Sequence, residues 1–341
     1  MCSHPIIPVP MIPYRIGSAP VVPAISGTVP AVLDLPPIPP TRMLGSSGIE
    51  VGSIAYGCWR LAGTGVADAS AKIGAALDAG LTLIDTADIY GFGGGGGERD
   101  DGFGEAEALL GRVLRDTPEW RDRMVLASKG GIRPGVPYDQ SRDYLAEACD
   151  ASLRRLGVDH LDLYQIHRPD HLTSPAEVAG ALDALVDAGK VRAIGVSNFT
   201  VAQHRALAAH LRAPIVTTQP EWHPLHQAPL VDGTLDLCGE VGCTPLVWSP
   251  LAGGRLVGDP ASLGPDAARV AAVADRIAAD RGVDRSAVLL AWIAHHPSGA
   301  IPIVGSQRPD RVTASAQALD VRMGRQEWYE ILVAGRGERL P

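Results

Sequence analysis

Eight short apolar segments, separated by stretches with helical periodicity, constrain the fold of this sequence more than any other feature. Each segment is short enough for one strand and is rich in branched aliphatic residues. Eight strands alternating with helices are what a closed parallel (β/α)8 barrel, or TIM barrel, requires. The segments cover residues 54–58, 81–84, 124–127, 161–166, 191–196, 215–218, 244–247 and 301–304.

Helix signals fill the intervals between these segments. Ser174, Pro175 and Glu177 combine an N-cap, a proline at the first helical position and a capping-box glutamate, so a helix is predicted to begin there. Other barrel helices are predicted near 70–77, 105–114, 143–156, 201–211 and 286–295. Extra helices are predicted near 267–279, before the last barrel helix, and at the C-terminus near 326–334. Residues 44–51 predict the turn of an N-terminal β-hairpin.

Residues 1–40 differ from the rest of the chain because prolines recur and charges are few. This composition predicts a flexible, proline-rich N-terminal extension, followed by a single barrel domain over residues 41–341. A peptide ligand for a partner protein and an added piece of active-site surface are the alternative interpretations of the extension.

The charge and cysteine patterns narrow the class of function. A formal net charge of −8 without an obvious basic face argues against a nucleic-acid or membrane partner and favours a small-molecule substrate. No apolar run reaches about 18 residues, so no transmembrane helix is expected. Five cysteines without a CxxC pair indicate free thiols and a cytoplasmic location. The sequence does not determine the oligomeric state.

Reactive side chains follow seven of the apolar segments. In a parallel barrel these positions converge on one face, which is where such barrels carry their chemistry. They are Asp85, Ser128-Lys129, His167-Arg168, Ser197-Asn198, Gln219, Trp248-Ser249 and Gly305-Ser306.

Four residues of this face, Asp85, Tyr90, Lys129 and His167, form a coherent acid–base group. A tyrosine donates a proton poorly near neutral pH unless its anion is stabilised, and a nearby lysine supplies that stabilisation. An aspartate can balance the lysine, and a histidine can hydrogen-bond a carbonyl. Each residue alone has a structural explanation, but together they predict protonation of an oxygen while another group delivers hydride to carbon.

Several phrases of the sequence resemble the aldo-keto reductases, and within them the bacterial oxidoreductases related to aryl-alcohol dehydrogenases. The resemblance runs from about residue 41 to the C-terminus and omits the proline-rich extension. The phrases are Ile84-Asp85-Thr86-Ala87-Asp88-Ile89-Tyr90-Gly91, Ser128-Lys129, Ile166-His167-Arg168-Pro169-Asp170, Gly195-Val196-Ser197-Asn198-Phe199 and Trp248-Ser249-Pro250-Leu251.

The resemblance implies NADPH-dependent reduction of an aldehyde or ketone to an alcohol by direct hydride transfer in a (β/α)8 barrel. It makes Tyr90 the proton donor, Lys129 and Asp85 the groups that tune it, and His167 the group that orients the carbonyl. It further implies a set of cofactor-binding residues that hold the nicotinamide carboxamide, stack on its ring or lie beside it. These are Ser197, Asn198 and Gln219 for the carboxamide, Trp248 for the ring, and Ser249 and Leu251.

The segment after the last strand favours NADP over NAD. Ser306 and Arg311 keep the spacing of the family's 2′-phosphate clamp at the start of a helix. Gly305 stands where many relatives carry lysine, so one cation is missing. NAD, or use of both cofactors, is the alternative.

Three aromatic residues, Trp59, Phe92 and Trp222, are predicted to line the substrate site. For Trp222, as for His223 and His226, packing is the alternative. The glycine run within residues 91–102 contains a literal GxGxxG, but its context does not match a dinucleotide fold. A flexible loop, or a mobile lid over the site, is the expectation. No metal is expected, because His167 with His171 and His223 with His226 each lack a third ligand.

Two other functions remain open at this level. One is an NADP-binding barrel that acts mainly as a regulatory or interaction subunit, with the proline-rich extension as its docking segment. The other is a metal-dependent barrel hydrolase, which would need a ligand cluster that the sequence does not supply.

Overall fold

The structure is a computed structural model that describes residues 34–93, 102–259 and 262–340. Most of the predicted proline-rich extension, residues 1–33, lies outside these ranges, as do residues 94–101 of the glycine-rich loop. Within the described ranges, no helix combines the length and apolar character that crossing a membrane requires.

All eight predicted strands are present and form a closed parallel barrel, which confirms the predicted fold. Each strand pairs with the next one along the chain, and the last pairs with the first. With β1 and β2 kept for the hairpin, the barrel strands are β3 (Ala55–Gly57), β4 (Leu83–Asp85), β5 (Val125–Gly130), β6 (Leu161–Ile166), β7 (Val191–Ser197), β8 (Ile215–Gln219), β9 (Thr244–Val247) and β10 (Ile301–Val304). The polar residues that follow these strands therefore meet at one end of the barrel.

The predicted N-terminal hairpin closes the opposite end. Its strands β1 (Thr41–Met43) and β2 (Glu50–Gly52) pair antiparallel. Thr244 begins β9, and its hydroxyl donates to the Met43 carbonyl at 2.9 Å. Leu44 and Val51 join the apolar side chains that fill the barrel interior. The hairpin thus plugs the amino ends of the strands, and the carboxyl ends are left for the site.

The helices surround the barrel and follow the predicted order. They are α1 (Val66–Asp78), α2 (Glu105–Asp116), α3 (Arg142–Leu156), α4 (Pro175–Asp187), α5 (Val201–Ala208), α6 (Thr234–Val241), α7 (Pro265–Arg281), α8 (Arg285–Ala294), α9 (Pro309–Ser315) and α10 (Arg325–Arg336). Short 3-10 helices cover Pro118–Arg123, Ala228–Leu230, Ala252–Gly254 and Ala316–Asp320. The sequence did not predict α6, because its eight residues are bounded by glycines and its N-cap makes no side-chain hydrogen bond.

The two extra helices pack on each other outside the ring. Both α7 and the C-terminal α10 lie where the sequence predicted them, and they are in contact. The ring itself closes with α9, which follows β10 and packs on α1. The last barrel helix is α9, in the segment after the last strand where a helix was predicted to start.

Residues 34–40 already contact the barrel domain. The Leu35 amide donates to the Met323 carbonyl at 2.9 Å, and the Ser53 hydroxyl donates to the Pro39 carbonyl at 2.6 Å. Contact with the barrel thus begins before the boundary predicted at residue 41. The four cysteines in the described ranges are buried free thiols.

Candidate active site

A buried lysine joins an acid and a phenol at the carboxyl end of the barrel. Lys129 lies in β5, and its ammonium donates to Asp85 Oδ2 at 2.7 Å and to the Thr86 carbonyl at 2.9 Å. Lys129 Nζ also lies 3.0 Å from the hydroxyl oxygen of Tyr90. Asp85 ends β4, and the turn that follows carries Tyr90 back over the strand end. The three predicted residues therefore form one contact chain.

The charges of this chain stabilise one another in a dry environment. Burial alone would lower the pKa of Lys129, but the Asp85 carboxylate and the Tyr90 hydroxyl outweigh burial and raise it. Lys129 therefore stays charged at neutral pH. Burial raises the pKa of Tyr90, and the Lys129 ammonium opposes that shift without cancelling it. The phenol is accordingly protonated at rest, beside a cation that would stabilise its anion.

His167 completes the predicted group. Its ring lies edge-on to Tyr90, with ring centroids 5.8 Å apart. Burial, together with the positive charges of Lys129 and Arg168, holds the pKa of His167 well below its usual value, so the ring is neutral. Its Nδ1 is buried and has no hydrogen-bond partner among the described residues. An orphaned N–H is costlier than an orphaned acceptor, which places the single ring proton on Nε2.

Two glutamine side chains fix the second oxygen of Asp85. Gln165 and Gln219 donate to Asp85 Oδ1 at 3.3 and 3.1 Å. The Thr217 hydroxyl in turn donates to the Gln165 side-chain oxygen at 3.2 Å. Sequence reasoning missed Gln165 and Thr217, although a glutamine inside the apolar strand β6 was a visible signal. The assignment of Gln219 to the cofactor stays a prediction, and in the structure the Gln219 amide nitrogen donates to Asp85.

Asn198 and Trp248 meet at the ends of β7 and β9. The indole N–H of Trp248 donates to Asn198 Oδ1 at 3.0 Å, and Asn198 Nδ2 donates to Ser197 Oγ at 2.7 Å and to the His167 carbonyl at 3.3 Å. The Ser197 hydroxyl donates to the Gln219 carbonyl at 2.9 Å. The predicted carboxamide-binding residues are thus adjacent, with Ser197 and Gln219 buried beneath Asn198.

The backbone is strained at the same two strand ends. Among the described residues, the non-glycine residues with positive φ are Asn198, Ser249 and Ala252, at 58°, 52° and 53°. Such conformations cost about 1–3 kcal/mol each and cluster at functional sites. Ser249 and Leu251 belong to this turn, which continues into the 3-10 helix Ala252–Gly254. The turn presents a compact backbone surface beside Trp248.

The predicted phosphate-binding residues lie between β10 and α9. Arg311 is exposed and, within the described ranges, forms no ion pair, whereas neighbouring Arg308 pairs with Asp310. Lys72 of α1 was missed by sequence reasoning and donates to the Gln307 side chain at 2.9 Å. Lys72 is buried and already pairs with Asp68. Its contact with Gln307 brings a cation to the loop in which Gly305 stands in place of a lysine. The Arg311 guanidinium in the first turn of α9 and the Ser306 hydroxyl in the preceding loop are both groups that suit a phosphate.

The three aromatic residues predicted to line the substrate site separate in the structure. Trp59 is 61% exposed beyond the end of β3, and Phe92 is 39% exposed just after Tyr90. Trp222 is 0% exposed and packs between Trp292 and His296, with ring centroids 5.3 and 5.2 Å away. Of the two interpretations of Trp222, the structure supports packing, and its assignment to the substrate site is corrected. The apolar surface of Trp222 is buried in the core. The spacing of residues in the sequence could not reveal this contact.

A pocket of about 570 Å³ opens beside Trp248 on the carboxyl-end face. Arg168, the residue after His167, reaches it and holds its guanidinium carbon 5.8 Å from the centre of the Trp248 ring system. Glu221 and Asp232 line it as well.

The histidine pair considered for a metal is engaged elsewhere. His223 pairs with Glu221, at 3.3 Å between ring nitrogen and carboxylate oxygen, and its ring lies 5.9 Å from that of His226. Across residues 34–93, 102–259 and 262–340, no three histidine, cysteine or acidic side chains come together in a way that could hold a metal ion.

Comparison with known proteins matches most of the chain. A family model described as the aldo/keto reductase family matches residues 53–333. A 6-dehydroglucose reductase of Novosphingobium aromaticivorans is 53% identical over 313 residues, covering 90% of this chain and 99% of that protein. A 6-dehydroglucose reductase of Agrobacterium fabrum is 37% identical, covering 88% and 99%. The oxidoreductase YdhF of Escherichia coli is 39% identical, covering 78% and 86%.

A solved structure shares the architecture. It is a thermostable aldo-keto reductase in complex with the inhibitor epalrestat, with a TM-score of 0.72 and 25% sequence identity. The match covers 86% of this chain and 99% of that one.

Proposed function

The chain belongs to the aldo/keto reductase family and is an oxidoreductase, and from that premise we propose that it reduces an aldehyde to an alcohol with NADPH. We propose Tyr90 as the proton donor. The observation that carries the proposal is the Lys129 ammonium, which contacts the Tyr90 hydroxyl at 3.0 Å and Asp85 at 2.7 Å.

The proton transfer follows from these contacts. As the carbonyl oxygen gains negative charge, the Tyr90 hydroxyl donates its proton to it, and the Lys129 ammonium stabilises the phenolate that remains. Asp85 keeps Lys129 charged and in place, and the two glutamines on Asp85 fix its orientation. The neutral His167 offers its Nε2–H to the same carbonyl oxygen and thereby orients the substrate.

The residues of the site fit a nicotinamide cofactor. Asn198, with Ser197 and Gln219 beneath it, would hold the carboxamide, and Trp248 would lie against the ring. The strained turn with Ser249 and Leu251 would line the path of the pyrophosphate. The chemistry that NADPH supplies when bound is a hydride for the carbonyl carbon.

NADPH is proposed over NADH because of the loop after β10. Ser306 and the unpaired Arg311 would bind the 2′-phosphate that NADH lacks. Replacing Arg311 with methionine should therefore weaken NADPH binding by about tenfold or more and leave NADH binding unchanged. Cofactor binding measured by fluorescence titration tests this, and equal losses for both cofactors would remove the assignment.

The first substrate to test is 6-dehydroglucose, the compound in the names of two relatives. By its name it carries the carbonyl at carbon 6 of glucose. A cytoplasmic location stays a prediction from the cysteine pattern.

The decisive experiment measures NADPH oxidation with 6-dehydroglucose and a panel of other aldehydes. Tyr90→Phe should lower kcat by about 10²–10⁴-fold while NADPH still binds. Tyr329→Phe, a change at an exposed tyrosine on α10, is the matched control and should be active. Full activity of Tyr90→Phe would remove the proton-donor role. Cofactor binding without turnover of any carbonyl would instead favour the regulatory-subunit alternative.

A further inference from the structure

Arg168 is a cation with no ion-pair partner among the described residues. Within the described part of the chain, no carboxylate lies within ion-pair distance of its guanidinium, which lies over the Trp248 ring system. Half-buried arginines are usually paired, because an unpaired charge loses solvation without compensation. The N–H groups of the Arg168 guanidinium can therefore donate hydrogen bonds to a ligand in the pocket.

The backbone of Arg168 is held in place from two sides. The Gln140 side chain donates to the Arg168 carbonyl at 2.5 Å, and Asn198 Nδ2 donates to the preceding carbonyl, that of His167, at 3.3 Å. The planar guanidinium is further positioned against the Trp248 ring system. The backbone of Arg168 therefore needs no ordering when a ligand binds, and only the side chain remains to be ordered.

Arg168 lies next to the chemistry in the chain. Consecutive Cα atoms are about 3.8 Å apart, so Arg168 follows immediately after the residue that orients the carbonyl. Asn198 and Trp248, which line the pocket, also belong to the proposed cofactor site, so the pocket borders the place proposed for the nicotinamide and the carbonyl.

The pocket wall combines apolar side chains with groups that can bind hydroxyls. Besides Arg168 it carries Glu221, Asp232 and Thr200, and its apolar part is made by Phe199, Val201, Pro220, Ala228, Pro229 and the Trp248 ring. A hydroxyl group both accepts and donates hydrogen bonds, so it can bind to a guanidinium and a carboxylate at the same time. An aryl group would desolvate these polar groups without replacing their hydrogen bonds. The volume of about 570 Å³ is ample for a small ligand.

We propose that Arg168 and the pocket beside Trp248 form a subsite for the hydroxyl groups of a polyhydroxylated aldehyde, and that Arg168 selects such substrates over aryl aldehydes. The proposal rests on the proposed reductase function. It assigns Arg168 to substrate selection, with no part in the proton transfer.

The test compares two substrates across three variants. Arg168→Met should lower kcat/KM for 6-dehydroglucose by about 10–100-fold, mainly through a higher KM, because hydrogen bonds to a charged group are lost. The same variant should reduce benzaldehyde within about threefold of the unchanged protein, and any loss of NADPH affinity should be smaller than the loss for 6-dehydroglucose. Arg168→Lys should recover only part of the loss, since an ammonium lacks the planar fork. Arg205→Met, which removes an exposed arginine of α5, is the matched control.

A readout that does not depend on turnover of the aldehyde supports the same assignment. Glucose is the alcohol product of 6-dehydroglucose, so it should inhibit benzaldehyde reduction by the unchanged protein and inhibit Arg168→Met about tenfold less strongly. Equal losses for both substrates, or a loss confined to NADPH affinity, would overturn the subsite. No turnover of either substrate by the unchanged protein would instead overturn the proposed function, so the two failures are distinguishable.

Discussion

The Asp85–Lys129 pair is the most constrained interaction of the site at the scale of single residues. Both side chains are almost fully buried, with 3% and 0% exposed. Burial of two charges is tolerable only because each is hydrogen-bonded: Lys129 also donates to Thr86, and Asp85 accepts from two glutamines. A buried pair of this kind stabilises little by itself, but the loss of one partner leaves the other uncompensated.

Asp85→Ala is therefore expected to lower the free energy of unfolding by roughly 3–5 kcal/mol as well as activity, because it strands the Lys129 ammonium. Asp78→Ala removes an exposed ion pair with Arg123 and should cost at most about 1 kcal/mol. Denaturant unfolding of both variants measures the difference. Similar losses of unfolding free energy in the two variants would mean that Lys129 is more accessible to water than the structure indicates.

A second carboxyl group close to the site has no obvious partner. Asp88 is fully buried, and neither of its oxygens has a hydrogen-bond partner among the described residues. Burial, reinforced by the negative charge of Glu107, holds the pKa of Asp88 well above its usual value. Glu107 itself is compensated by Arg155 and by the Ser128 hydroxyl.

This raised pKa predicts a pH dependence of stability. The folded protein keeps the Asp88 proton at pH values where the unfolded chain, with a pKa near 3.9, has lost it. The contribution of Asp88 to the free energy of unfolding is thus fully present below about pH 4 and is lost as pH rises through the pKa of Asp88 in the folded protein. Asp88→Asn cannot titrate, so its stability relative to the unchanged protein should improve between pH 4 and pH 8, by about 1.4 kcal/mol for each unit of pKa shift. Unfolding at several pH values checks this, and parallel curves for the two proteins would refute it.

At the scale of secondary-structure elements, local signals fixed the helix that begins at Pro175. Ser174 Oγ accepts from the Glu177 amide at 3.2 Å, as the capping pattern predicted. Helix α6 shows the opposite case, because it is short, lacks a side-chain cap and is held by its buried face. Strand bounds were predicted within a few residues, because each strand is a single apolar run between polar ends.

Ser174→Ala should lower the free energy of unfolding by about 1 kcal/mol through loss of that cap. Ser174→Asp keeps an acceptor at the same position and should be close to the unchanged protein. Kinetics should not change in either variant, since α4 belongs to the outer ring. The cap would have no energetic role if both substitutions cost the same.

At the scale of the whole molecule, residues 34–40 belong energetically with the barrel. Their backbone is hydrogen-bonded to residues near β3 and α10, and Ile38 is buried in the main core. The predicted proline-rich extension up to residue 33 lies outside the described residues.

Two truncations separate these parts of the chain. Removing residues 1–33 should leave carbonyl reduction with NADPH unchanged, because every proposed catalytic residue lies within the described barrel. Removing residues 1–40 should lower the free energy of unfolding by a further 2–4 kcal/mol or so, from the lost burial of Ile38 and lost hydrogen bonds. Activity assays and denaturant unfolding measure both effects. A loss of activity on the first truncation would assign the extension a role in the site.

The sequence by itself determined the barrel and four of the side chains at its mouth. The periodicity of apolar residues in strands and helices is a local property of the sequence. The carboxyl ends of parallel strands meet at one face of a barrel, so the polar residues that follow the strands must lie there together. Only the tertiary structure decided that Trp222 is core, that Gln165 and Gln219 orient Asp85, and that Arg168, beside Trp248, has no ion-pair partner among the described residues. These outcomes depend on which side chains meet across the barrel, and such contacts join residues far apart in the chain that carry no local signal of one another.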